Sequence, residues 1–434
     1  MLEVVAASVI SLFAGILGQP SQPVPTVESL SWQNAKLFQL PPEPDPVAEE
    51  IVRDYLKALE AQGLAATNQG VWIESDFIRL ARHQGTQPRS AASLTKIATT
   101  LAAIDTWGLD RHFETRFYAN GNINGGVLKG DLIVIGDGDP MFVWEEAVVV
   151  GNALNKLGIR KVTGNLIVNS KFYMNFYPNS AVAGKKLKEG LNSKVWSSEA
   201  QIQHGKMPPG TPRPTVEVQG NLLLGNALPP SSQLLLTHQS LKMYQILKQM
   251  NIYSNNMVAE ALGQLMGGGD VVAQIAANVA EVPPEEINLI NGSGLGTANR
   301  ISPRAVTAML QAIEGKLQDH STSLPDLFPV AGRDTLGTML DRNLPSETTI
   351  KTGTLARVSA LAGVLPTQKY GWVWFAVIND GSNIEALRQQ QDRLLQRLSQ
   401  NWGAASISAT LKPNDVGRFG DPDRVRLTNE KTLE

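Results

Sequence analysis

The chain contains no cysteine, so disulfides, thiolate metal sites and a thiol nucleophile are all excluded. It has no excess of either charge: 38 basic and 40 acidic residues leave a formal net charge of -2, which gives no long-range pull toward nucleic acid or anionic lipid. Nucleic acid is therefore not an expected partner. The five histidines, His83, His112, His204, His238 and His320, stand singly, without metal-ligand spacing. No phosphate-binding G-x-x-x-x-G-K-[ST] loop occurs, and Gly136-Asp137-Gly138-Asp139-Pro140 lacks the spaced ligands and distal glutamate of a calcium loop. No cofactor and no metal are called for.

Past the amino terminus, no uncharged apolar run reaches the length of a membrane span. Val4 to Gly18 is almost wholly apolar, long enough for the core of an export signal and short for a span. It carries Glu3 where a signal has a basic region. Export is the expectation, with removal as a leader or retention as an anchor both open. Residues 19–46 hold Pro20, Pro23, Pro25, Pro41, Pro42, Pro44 and Pro46, which precludes helix and predicts an extended tether.

What is present indicates a large chain built of more than one part. At 434 residues the chain exceeds what one core usually serves, so more than one domain is expected. Helical apolar spacing from Val47 to Leu64 is followed by a predicted hairpin, Gly70 to Ile73 with Phe77 to Leu80. An alanine- and leucine-rich helix starts near Ser93. Between Trp107 and Leu236 the texture changes to glycine-punctuated strands with one helix, Glu145 to Leu157, which reads as an insertion. Helices return at Ser240 to Met250 and Met257 to Met266. Strands at Thr348 to Leu355, Val358 to Leu365 and Trp372 to Ile378 predict an antiparallel meander closed by a helix, Ile384 to Trp402. The expected division is 1–18 signal or anchor, 19–46 tether, 47–106 and 240–403 the two parts of the main domain, 107–239 the insertion and 404–434 a loosely ordered tail.

Three motifs occur in a telling order: S-x-x-K at Ser93 to Lys96, S-x-N at Ser254 to Asn256, and K-T-G at Lys351 to Gly353. Each alone is weak, since a serine before a helix also serves as a cap and a lysine in its first turn also serves as solvated surface. Together, in order and on suitable elements, they define a serine acylation site. A serine hydroxyl needs its proton removed as it attacks a carbonyl, and lysine can do so only when neutral. One helical turn places Lys96 on the face of Ser93, where burial and the positive charge of Lys351 would both depress its basicity. The N–H groups of Ser93 and Thr354 are the candidate oxyanion donors, provided the K-T-G strand lies at a sheet edge. Gly353 allows close approach of substrate, while Lys351 and Thr352 can bind a terminal carboxylate. Ser254 is a candidate proton relay to the leaving amine, and Asn256 a partner for Lys96 or the substrate amide.

These motifs resemble those of the low-molecular-mass class C penicillin-binding proteins, which are D-alanyl-D-alanine carboxypeptidases and endopeptidases. The resemblance rests on AASLTK (Ala91 to Lys96), YSNNMVAE (Tyr253 to Glu260) and IKTGTL (Ile350 to Leu355). It extends to GDGDP, to NGSGL at Asn291 to Leu295, to Arg300-Ile301-Ser302-Pro303 and to PVAGRDTL at Pro329 to Leu336. It implies an α/β fold: a serine β-lactamase or transpeptidase-like domain with an antiparallel sheet flanked by helices, interrupted by a large β-rich insertion. It also implies a periplasmic or cell-envelope location, peptidoglycan stem peptides as substrates and covalent inhibition by β-lactams. Carboxypeptidase and endopeptidase action share one acyl-enzyme and stay open. A β-lactamase is the nearest rival, but no E-x-x-L-N pattern lies between Asn256 and Lys351. A noncatalytic wall-binding scaffold is the rival of another class, and three intact polar motifs count against it.

Overall fold

The computed structural model describes residues 44–76, 78–406 and 417–428. The apolar amino-terminal segment and most of the proline-rich tether lie outside the described residues. Among those described, no helix is long and apolar enough to cross a membrane.

Five strands rich in β-branched and aromatic residues form one antiparallel sheet. Its order is Thr349–Leu355, Val358–Thr367, Gly371–Asp380, Gln69–Ser75, Arg79–His83. Of the three inner strands, Val358–Thr367 and Gly371–Asp380 are buried on both faces over most of their length, and their alternation separates two cores. Ala360, Ala362, Val364, Trp374, Ala376 and Ile378 face one cluster, while Leu361, Leu365, Val373, Phe375 and Val377 face the other. On the second face pack the helices Pro46–Glu60 and Ile384–Trp402, whose apolar stripes are complementary to it. On the first, the small residues Ala360, Ala362 and Ala376 leave room for helices to approach closely.

Centred on that first face is Thr95–Trp107, a helix of alanine, leucine, isoleucine and threonine with no charged residue before Asp105 except Lys96. Ten of its residues are buried, because the helices Met243–Ile252, Asn256–Met266, Gly269–Val279 and Pro303–Leu317 all pack on it. Gly108, with φ of 74°, ends it. The helix begins two residues later than expected: Ser93 sits in the 3-10 turn Ala92–Leu94 that leads into it.

A second, eight-stranded sheet is built around the hairpin Glu114–Asn124 and Val127–Gly136. Its two-residue turn, Gly125-Gly126, takes positive φ at both positions, as the twist of a tight hairpin requires. Three helices cover this sheet, Trp144–Lys156, Ser180–Gly190 and Ser198–Lys206, where one was expected. The latter two are lysine-, glycine- and glutamine-rich, so apolar periodicity does not announce them.

The tail also departs from expectation in its described part. Residues 417–428 are ordered against the second sheet, with Val425–Leu427 pairing antiparallel to Gln233–Gln239. Arg424 reaches the buried Glu146 at 2.6 Å, and Glu146 also contacts His238 Nε2 at 2.8 Å. Burying the Glu146 charge is tolerable because two partners and the Gly420 N–H surround it.

Candidate active site

Ser93, Lys96, Ser254, Asn256 and Lys351 are brought together at the junction of the turn Ala92–Leu94, the turn before helix Asn256–Met266, and the strand Thr349–Leu355. Lys96 Nζ donates to Ser93 Oγ at 3.0 Å, to Asn256 Oδ1 at 2.7 Å and to the Ser293 carbonyl at 2.8 Å. Lys351 Nζ donates to Ser254 Oγ at 3.1 Å and to the Thr352 carbonyl at 2.8 Å. Two lysines thus address two serines across one small volume, and neither has a carboxylate within ion-pair distance among the described residues.

Local backbone geometry explains how such short motifs hold so specific an arrangement. Ala92 and Ser254 both take left-handed φ, 47° and 51°, which costs about 1 kcal/mol or more each and persists only where the surroundings enforce it. Asn255 supplies part of that enforcement: its side chain accepts from the N–H groups of Met257 and Val258, capping the following helix. The three residues of S-x-N therefore divide their work, with Asn255 capping and its neighbours facing the lysines.

The strand Thr349–Leu355 lies at the edge of its sheet, paired along its length to Val358–Thr367 and, among the described residues, bridged on its other side by Val330 at Thr349, with the Ile350 N–H donating to the Pro329 carbonyl. Its open side is the face along which an extended ligand could pair. Gly353 abuts the turn Ala92–Leu94 so closely that a Cβ there would lie 2.9 Å from the Ala91 carbonyl and 3.1 Å from the Ser93 nitrogen. That proximity sets the Thr354 end of the strand beside the turn that carries Ser93. Thr352 is buried, its hydroxyl bonded to Thr338 Oγ1 at 2.7 Å, and exposed Thr354 accepts from Arg388 at 3.0 Å.

Lys96 is fully buried, and burial brings its pKa down from 10.5 to about 7, with the Glu260 carboxylate opposing the shift. Lys351 is fully buried too, and burial, with the Lys96 ammonium adding, holds it well below the usual lysine range. Burial therefore outweighs the Lys351 charge that sequence reasoning also invoked for Lys96. The lysine–lysine repulsion registers at Lys351.

Sequence reasoning missed the backbone of Ser293 and Gly294. Besides the Ser293 carbonyl on Lys96, the Gly292 carbonyl accepts from Thr99 Oγ1 at 2.6 Å, so this loop backs the helix Thr95–Trp107. Gly294, at φ of 82°, leaves no room for a side chain: a Cβ would meet the Ala92 carbonyl at 1.9 Å. Its N-G-S-G-L motif was visible in the sequence, but a carbonyl acceptor has no side-chain signature. Thr338 and Arg388 carried no signal at all. The Gly136 to Pro140 segment is a buried turn, Asp137 accepting from the Glu114 N–H and Asp139 from the Met141 N–H. Among the described residues no group of three or more His, Asp or Glu side chains is arranged to hold a metal ion.

A serine under a buried lysine, at the edge of an antiparallel sheet flanked by helices, defines the class of penicillin-binding and β-lactamase-like serine hydrolases. Within it the chain belongs to the D-Ala-D-Ala carboxypeptidase 3 (S13) family, which it matches over residues 57–181 and 213–401. A carboxypeptidase of Mycobacterium tuberculosis, Rv3627c, is 26% identical over 385 residues, covering 77% of this chain and 78% of that protein. The D-alanyl-D-alanine carboxypeptidase DacB of Haemophilus influenzae is 22% identical over 415 residues, covering 72% and 85%. Among solved structures, the penicillin G-acylated predatory endopeptidase Bd3459 of Bdellovibrio bacteriovorus superposes with a TM-score of 0.69 at 20% identity, covering 83% of this chain and 99% of that one. Penicillin-binding protein 4 of H. influenzae gives 0.63 at 20% identity, covering 80% and 99%. The protein is an enzyme, a serine-type D-Ala-D-Ala carboxypeptidase by family.

Proposed function

We propose that Ser93 is the acylated nucleophile and Lys96 its base, in an enzyme that trims the terminal D-alanine of peptidoglycan stem peptides. The observation that carries this reading is the Lys96 amine, fully buried and 3.0 Å from Ser93 Oγ. As Ser93 Oγ forms a bond to the carbonyl carbon of the penultimate residue, its proton passes to neutral Lys96 Nζ. The N–H groups of Ser93 and Thr354 receive the oxyanion. Collapse breaks the peptide bond, and the leaving amine takes a proton through Ser254, whose hydroxyl lies 3.1 Å from Lys351 Nζ. Water then cleaves the ester and frees Ser93. Asn256 fixes the Lys96 amine through its Oδ1, and Gly353 keeps the strand close.

Lys351 and Thr352 hold the substrate's terminal carboxylate, and binding sets the proton inventory. In the empty site burial disfavours charge on both lysines, whereas an incoming carboxylate supplies the missing counter-charge beside Lys351. A proton on Lys351 is then stabilised, and the resulting ammonium keeps Lys96 neutral. The carboxylate thus primes the base as well as anchoring the ligand, and a β-lactam's carboxylate would do the same.

Residues 47–106 and 240–403 form the acylating body on this reading, and 107–239 the insertion, to which the segment 417–428 adds a strand. The proposed setting is the cell envelope, reached through the apolar segment Val4 to Gly18. Sequencing the amino terminus of the mature protein decides between cleaved leader and retained anchor. The test of the central reading is covalent labelling by fluorescent penicillin. Wild-type protein labels at Ser93, Ser93→Ala does not, and both hold the same melting temperature; an unlabelled wild type would leave only the scaffold reading. Incubation with monomeric and cross-linked muropeptides then measures how far the leaving group extends beyond free D-alanine.

A further inference from the structure

We propose that Arg388 is a specificity residue, binding a second carboxylate on the acyl side of the peptide. The inference rests on the acylation reading above, since it takes its direction from where the oxyanion hole and the carboxylate anchor lie.

The K-T-G strand supplies that direction. Lys351 and Thr352 stand before Gly353 and take the leaving group's carboxylate, while Thr354 stands after it and shares the oxyanion. A peptide laid along the open edge therefore runs its leaving group toward Thr352 and its acyl portion past Thr354 and Leu355. Antiparallel pairing makes that run straight, with about 3.3 Å advanced per residue.

Arg388 waits at the acyl end. It projects from the first turns of helix Ile384–Trp402 and donates to the exposed Thr354 hydroxyl at 3.0 Å. It forms no ion pair among the described residues. The acids one helical turn to either side are engaged elsewhere. Glu385 accepts from Gln389 Nε2 at 3.2 Å, and Asp392 accepts from Arg342 at 2.6 Å and from the Asn343 N–H at 2.9 Å. By contrast Arg342, Arg357, Arg397 and Arg424 each hold a carboxylate. A half-buried guanidinium whose polar partner is an alcohol keeps most of its fork of donors free for a planar anion. Thr354 sets it within reach of ligand bound in the oxyanion gap, and the leaving-group carboxylate, at Lys351 and Thr352, lies on the other side of Gly353. The matching ligand is a peptide with two negative handles, one at its carboxyl terminus and one within the acyl portion.

The experiment uses the full chain and two peptides ending in D-Ala-D-Ala, identical except for a carboxylate or a carboxamide on the acyl side. Released D-alanine gives kcat/KM for each. Wild-type enzyme prefers the carboxylate about fivefold, the scale of a partly exposed charge pair, and rising salt erodes the preference. Arg388→Gln brings the ratio to one, and Arg388→Lys keeps part of it, since a point charge attracts without the fork. A ratio near one in wild type, a preference that survives in Arg388→Gln, or an equal slowing of both peptides by that variant would each overturn the proposal; the last would leave Arg388 as a support for Thr354 alone. Penicillin labelling of wild-type Ser93 checks the underlying reading separately, because it needs no anion on the acyl side.

Discussion

The most direct consequence of the buried lysine pair is the pH dependence of acylation. Lys96 must be neutral to accept the Ser93 proton, and burial puts its pKa at about 7. The neutral fraction then rises from about 10% at pH 6 to about 90% at pH 8, roughly a ninefold gain in acylation rate. A lysine left at its ordinary value of 10.5 would be under about 1% neutral at pH 8, and its rate would climb about tenfold per pH unit up to about pH 9 and go on rising beyond it. The sign follows from the cause: burial destabilises the ammonium, so the active form is the one favoured by burial. On the proposed mechanism the charge on Lys351 is needed in the same cycle, and burial lowers the pH at which that charge is lost in the free enzyme. The assay is the second-order rate of Ser93 labelling by fluorescent penicillin from about pH 5.5 to about pH 9.5, read under single-turnover conditions. Glu260 offers an internal control, because its carboxylate raises the Lys96 pKa. Glu260→Gln therefore moves the rising limb to lower pH while leaving its shape. A profile that is flat, or that climbs without levelling through pH 9, would refute a Lys96 base tuned by burial.

Two further outcomes follow from the packing around the site and the second sheet. Gly294→Ala places a methyl 1.9 Å from the Ala92 carbonyl at a backbone φ of 82°, so it should cost about 3 kcal/mol or more, lowering the melting temperature and slowing penicillin labelling together. Arg424→Met removes a partner of Glu146, whose side chain is 1% exposed, and should cost about 3 kcal/mol in urea unfolding, since His238 and the Gly420 N–H alone remain against that charge. Its labelling rate at Ser93 should stay at the wild-type value, because the pair lies in the second sheet.

The K-T-G strand, the S-x-N turn and the S-x-x-K pair were legible because each is short, local and dictated by chemistry that few residue types can perform. Their elements were legible for another reason: Val358–Thr367 and Gly371–Asp380 are rich in β-branched and aromatic residues, and Ile384–Trp402 has a clear apolar stripe. The strand ladder even sets the register that makes Thr349–Leu355 an edge. The fold of 107–239 was legible only as texture, since Ser180–Gly190 and Ser198–Lys206 bury few side chains and so print little periodicity. Val425–Leu427 is three residues long and gains its place by extending an existing sheet, information held in Gln233–Gln239 and not in itself. The site's remaining members share this property. Ser293 acts through a carbonyl and Gly294 through a missing side chain, and each has meaning only against Lys96 or Ala92, some two hundred residues earlier in the chain. Pairwise chemistry between distant positions is what a single sequence conceals. It is also why the lysine pair could be named from the motifs while the ranking of its causes could not: that Lys96 should be weakly basic follows from its role, but that burial does more than Lys351 follows only from the helices packed around it.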